Sequence, residues 1–249
     1  PLEAAPTVLH SLLAPTSSDS PLQSLDQAIR AFWEQEEVGV PRQFSDEDIE
    51  CERHFKETIS RDKSGRYIAR LPFVNNIPPT LGTTRSRALQ RLFRLERQFD
   101  QNPQYRDLYV ACLRDYVDQG HMVKAEKPVD YLLTHHGVVK GSQDSMKVRV
   151  VFNPSEKDPL GVSLNSCLLV GPKMQGDIGE LVTRFRTHKV AVKCDVRQMY
   201  RAIGLHPDDQ KYLHFLWRFS PSDPVIEWQL TTITFGVSSS PFTAQSTIA

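Results

Sequence analysis

Val190-Ala191-Val192-Lys193-Cys194-Asp195-Val196-Arg197-Gln198-Met199-Tyr200 is the stretch on which the reading of this chain turns. Its apolar residues alternate up to a carboxylate, and an aromatic follows five residues later. The pattern predicts a strand over 190–196 that delivers Asp195 to its end, with a helix starting near Tyr200. Burying a carboxylate at the end of an apolar strand is costly unless it is paired or holds a cation. Two readings are therefore open. Asp195 caps the following helix, as Asp often does, or it is an oxygen ligand for a hard metal ion.

Working outward, the segment from Leu230 through Phe235 and Gly236 to Gln245 reads as a strand broken at a glycine. A serine-rich turn then leads into a helix with Pro241 in its first turn. Taken alone it is only a junction. Upstream, Met146 to Asn153 alternates so that Lys147 and Arg149 share one face and Val148 and Val150 the other. Two neighbouring cations repel unless solvent or an anion separates them, so this face is either solvated or a clamp for an anion. Gly161-Val162-Ser163-Leu164-Asn165 follows.

Further upstream the period lengthens. Residues 84–98 predict a helix with Ala88, Leu89, Leu92, Phe93 and Leu95, and Asn102-Pro103 opens a second one. The apolar face of that second helix would be Tyr105, Leu108, Tyr109, Cys112 and Tyr116, with Gly120 where a C-terminal cap glycine belongs. Strand-like runs are also predicted at 66–73, 131–140, 147–152, 213–219 and 227–235. A helix is predicted at 174–188, with Ile178, Leu181, Val182 and Phe185 on one face, and another after Ser238. This order predicts an α+β architecture with antiparallel pairing rather than a doubly wound sheet. Residues 1–30 read as a linker or loose arm. Phe32 to Glu37 reads as the end of an acidic helix, and Ser45-Asp46-Glu47-Asp48 as the start of another.

The chain has 249 residues, 30 basic and 30 acidic, so no whole-molecule field gathers a polyanion, and any such site must be a local cluster. One candidate is Arg87, Arg91 and Arg94, a stripe at i, i+4 and i+7; it is a solvated face or a contact for a nucleic-acid backbone. The four cysteines contain no C-x-x-C pair, which argues against a zinc ribbon. No apolar run is long enough to span a bilayer. His135 and His136 would point to opposite faces of a strand and suit packing better than shared metal ligation. Trp33, Trp217 and Trp228 read as core or sheet aromatics.

The basic strand, the strand-end Asp195 with Tyr200 and the Phe235-Gly236 turn occur in an order that resembles the reverse transcriptases, and more narrowly the BEL/Pao group of long-terminal-repeat retrotransposons. Phe32-Trp33-Glu34, Arg70-Leu71-Pro72-Phe73, Leu169-Val170-Gly171-Pro172 and Met199-Tyr200-Arg201 add to the likeness. It runs from about residue 30 to the last residue. It implies three regions: an arm over 1–30, a helical N-terminal and fingers region over 31–120, and an incomplete fingers–palm over 121–249 with an antiparallel sheet backed by helices.

The resemblance also implies roles. Asp195, with the Val196 carbonyl, would help hold two Mg²⁺ ions, which in such sites sit roughly 3.5–4 Å apart. Lys147 and Arg149 would clamp the incoming deoxynucleoside triphosphate, Tyr200 would exclude a 2′-hydroxyl, and Phe235 and Gly236 would flank the nucleotide. The partners would be an RNA or DNA template-primer and a deoxynucleotide, in cytoplasmic particles, with no membrane. The family's Tyr-x-Asp-Asp hairpin, which carries the remaining carboxylates, does not occur in these 249 residues. The expectation is a polymerase fragment cut before that hairpin and inactive alone, its palm sheet left with an unpaired apolar edge that makes it marginally stable or prone to aggregate. The alternative is a non-catalytic remnant that binds nucleic acid or protein.

Overall fold

A computed structural model describes residues 44–141 and 145–248. Phe32 to Glu37, Trp33 included, and the arm over 1–30 lie outside them. Helix α1 (Asp46–Thr58) begins where the acidic cluster predicted: Ser45 Oγ accepts from the Asp48 amide and the Asp48 carboxylate accepts from the Ser45 amide, each at 3.1 Å. Its Cys51 and Phe55 pack against Leu169 and Phe242, in a small cluster of their own.

Helix α2 (Arg85–Gln101) and helix α3 (Pro103–Asp118) meet at Asn102, whose side chain accepts from the Tyr105 amide while Pro103 occupies the first helical turn. Helix α3 ends as a Schellman motif. The Gly120 amide donates to Val117 O (2.9 Å), the His121 amide to Tyr116 O (2.7 Å), and Gly120 takes a φ of 69°. The buried positions of α3 are Tyr109, Leu113 and Tyr116. Phe99 joins the two helices by ring contacts to Tyr105 and Tyr109.

Three small sheets account for the described strands. β1 (Ser60–Arg61) pairs antiparallel with β2 (Tyr67–Ala69). β3 (Met122–Lys124) and β7 (His214–Trp217) flank β8 (Ile226–Leu230), both antiparallel to it. β4 (Thr134–Lys140) and β5 (Lys147–Asn153) form a hairpin in which Val138 faces Arg149 and Lys140 faces Lys147. The architecture is mixed α+β, as expected, with one departure. β6 (Gly204–Leu205) pairs with β2 in parallel, because a long stretch of chain separates the two.

The core lies where α2, α3, β4, β5 and β7 meet, around Tyr109, Leu113, Phe152, Phe215 and Trp217, all at most 1% exposed. His135 sits among them. Its Nε2 is 3.0 Å from Leu216 O, so it donates there, and Nδ1 at 2.5 Å then accepts from the Tyr109 hydroxyl. Burial holds this histidine neutral, its pKa lowered to about 4. His136 is exposed, on the other face. Trp217 and Trp228 are both buried.

One expectation is corrected, and another is met with its apolar face left open. Residues 190–196 form no strand: Val190 is 77% and Val192 83% exposed. Helix α4 (Ile178–Thr187) forms where its period predicted, with Asp177 as its N-cap, but Ile178, Leu181, Val182 and Phe185 are all exposed. Every residue from Lys173 to Arg197 is exposed. Alternation and period define a face that can be buried; they do not supply the surface that buries it, and 190–196 pairs with none of the described strands.

Candidate functional site

The chain crosses one cleft four times. Helix α5 (Met199–Ala202) is entered through Gln198, which takes a φ of 54°, a left-handed conformation uncommon outside glycine. The segment after it is stitched to the one after β8: the Leu205 amide donates to Thr231 O (2.8 Å) and the Ile233 amide to Ile203 O (3.1 Å). This pairing carries Tyr200 to Phe235, and their rings meet edge-on with centroids 4.5 Å apart. Gly236 takes a φ of 104°, and a Cβ there would overlap the Phe152 carbonyl oxygen, so only glycine lets this turn back onto the end of β5.

The result is a cleft of about 500 Å³ lined by Arg149, Asp195, Val196, Tyr200, Arg201 and Phe235, with Cys112 and Tyr116 contributed by α3. Residues chosen on sequence from three separate segments thus share one surface. Asp195 is exposed and does not cap α5, whose N-cap is Gln198; the capping reading is corrected. Lys147 is not part of the lining. It lies at the loop end of the hairpin opposite Lys140, two residues before Arg149 on the same strand. Gly236 acts from behind, as the pivot that presents Phe235.

From the sequence Arg201 was marked only as part of Met199-Tyr200-Arg201 and was given no role. Its guanidinium donates to the Asp115 carboxylate at 2.7 Å and lies 4.6 Å from the Tyr116 ring centroid, so it reaches the cleft already oriented. Its own carbonyl and that of Ala202 accept from Arg66. Burial raises the Asp115 carboxyl, but hydrogen bonds from Arg201 and Gln119 outweigh it and the pKa falls. Burial also raises the Cys112 thiol and pushes the Tyr116 phenol up to about 12, so both stay protonated. The lining therefore carries two guanidiniums, Arg201 already paired with Asp115, and one carboxylate, Asp195; Arg149 is the cation through which it would meet an anion.

Arg87, Arg91 and Arg94 line a second cleft of about 250 Å³ with Gln90 and Glu156. Arg87 is partly committed there, donating to Lys157 O and lying 3.6 Å from the Glu156 carboxylate. Asp208 and Asp209 belong to neither cleft. Asp209 is buried and accepts from Arg70 Nε (2.8 Å), Arg70 Nη2 (2.9 Å) and the Leu71 amide (2.9 Å), clamping the end of β2 to the short helix α6 (Pro207–Gln210).

The donor set does not fit a pair of magnesium ions. Asp195 is the one carboxylate in the lining, and among the described residues no group of three or more His, Cys, Asp or Glu side chains is placed to hold a metal. Among those residues, too, no helix is long and apolar enough to cross a membrane. No family model matches the chain, and no curated protein gives a significant match.

Proposed function

We propose that the larger cleft is the deoxynucleotide-binding part of a reverse-transcriptase polymerase site, and the chain the fingers and part of the palm of such an enzyme. The observation that carries this reading is the convergence of Arg149, Asp195, Val196, Tyr200 and Phe235, drawn from three distant segments, on one cleft. Arg149 would bind the phosphates, its planar guanidinium suiting bidentate contact. Tyr200, braced by Phe235, would stand where bulk excludes a 2′-hydroxyl. Lys147, at the rim, would reach the triphosphate only from solvent.

Two-magnesium phosphoryl transfer needs carboxylates that the described residues do not assemble, so no metal-dependent step is assigned to them. The purified chain should give no primer extension on a poly-rA template with Mg²⁺. It should bind dTTP in a calorimetric titration, and Arg149→Ala should weaken that binding about tenfold, as expected for losing a charge-assisted contact. Absence of any nucleotide binding by the unaltered chain would sink the reading. The exposed apolar faces of α4 and 190–196 are surfaces through which the chain would associate.

A second reading rests on the arginine cleft. As a nucleic-acid-binding module the chain would hold single-stranded RNA with log–log salt dependence of slope about −2 if all three arginines meet phosphates. Replacing Arg91 and Arg94 by Gln should flatten that slope. A slope unchanged by the replacement removes this reading.

A further inference from the structure

We infer that Asn165 is the positioning residue of the cleft, the side chain that holds the Phe235–Gly236 turn in the place where Phe235 braces Tyr200. It lies outside the lining itself. Asn165 opens a single 3₁₀ turn (Asn165–Cys167) after the loop that leaves β5, and its amide donates to Pro154 O at 3.0 Å. From that anchor its carboxamide uses all three of its directional groups. Nδ2 donates to Gly236 O (2.9 Å) and to Ser155 Oγ (2.8 Å), and Oδ1 accepts from the Ser238 amide (2.9 Å). The orientation of the amide is fixed by these partners, since a carbonyl needs a donor and an N–H an acceptor.

Bonding to the carbonyl of one residue and the amide of the second residue onward is what the N–H and C=O of one residue on a parallel neighbouring strand would do. The turn at 235–238 has left β8, which ends at Leu230, and the Asn165 side chain stands in for a strand partner there. The geometry leaves little slack. Gly236 rests on the Phe152 carbonyl from one side and is held by Asn165 through its own carbonyl, so the residue before it, Phe235, has a fixed departure direction toward Tyr200. If Tyr200 screens the sugar of a nucleotide, Asn165 sets how firmly that screen stands. This last step rests on the polymerase reading; the positioning of Phe235 does not.

The test uses the full chain labelled with 3-fluorotyrosine, its Tyr200 ¹⁹F resonance identified by its loss in Tyr200→Phe. Phe235→Leu gives the position of that resonance without the neighbouring ring. Asn165→Asp keeps the acceptor for the Ser238 amide but sets a carboxylate oxygen against the Gly236 carbonyl; Asn165→Ala removes both bonds. Both should move the Tyr200 resonance most of the way to its Phe235→Leu position. They should also weaken dTTP binding about fivefold, the net worth of one hydrogen bond, and lower the preference for dTTP over UTP. A Tyr200 resonance unmoved in a folded variant overturns the inference. Hydrogen exchange at the Ser238 amide of the unaltered chain needs no variant: protection supports the inference, and exchange at the rate of a free amide overturns it. If the unaltered chain binds no nucleotide while the Tyr200 resonance still moves, the polymerase reading fails and the positioning role stands.

Discussion

Helices α3 and α4 carry the same kind of signal, apolar residues at a 3.6-residue period, and meet opposite fates. In α3 the face closes on α2 and β5, with Tyr109 and Leu113 wholly buried. In α4 Ile178, Leu181, Val182 and Phe185 all remain open to solvent, as does the apolar stretch leading to Asp195. The difference is one of partners. Around α3 the aromatic residues interlock, Tyr109 touching Phe99, Tyr105, His135 and Trp217 by ring contacts. The described residues bring no apolar surface to α4. An amphipathic pattern is thus a capacity for burial, realised only where the topology delivers a second face.

The contrast can be broken at its strongest point. Trp217→Ala removes a buried side chain that meets Phe99, Tyr109, His135 and Phe219, and should cost about 4 kcal/mol in a urea melt. A loss under about 1 kcal/mol would mean that the aromatic cluster does not hold the core.

His135 offers the next largest effect. Its folded pKa, about 4, lies below the ordinary 6.5, so between those values the unfolded chain takes up a proton that the folded chain refuses. Its contribution is complete above pH 6.5 and is lost as pH falls toward 4, by roughly 3 kcal/mol in all. His54, His121 and His214 shift the same way through burial, so the comparison is with His135→Gln. That variant should lose less stability than the parent over the same interval, and parallel curves would refute the assignment.

The smallest effect is expected on α4. Leu181→Ser and Phe185→Ser together should change the unfolding free energy by less than about 0.5 kcal/mol while lowering light scattering of the concentrated chain. A loss of stability comparable to a core truncation would show that this face is covered after all.

Much of the framework was legible from residues alone. Ser45 and Asp48 announce the start of α1, Asn102-Pro103 the start of α3, and Gly120 its end, because caps are local chemistry between neighbours in sequence. The alternation at 147–153 assigned Arg149 to an open face, and β5 has it so. The cleft was legible in part. Arg149, Asp195, Tyr200 and Phe235 were marked by type and order, whereas Arg201 and Cys112 were given no role in it, since what brings them in is the packing of α3 beside α5. Asn165 carried no visible signal of its role. Its partners at 155, 236 and 238 are set by the return of the chain from β8, and no spacing along the sequence encodes that distance.

Local pattern by itself decided which residues form helices and turns, where most of those elements begin and end, and which faces are apolar. Those choices rest on interactions a few residues long. Tertiary structure alone decided which faces are buried, that 190–196 stays out of any described sheet, and that Asn165 reaches the Phe235–Gly236 turn. Each of these depends on a surface supplied from far along the chain, and a one-dimensional pattern can state the need for such a surface without showing that it is met.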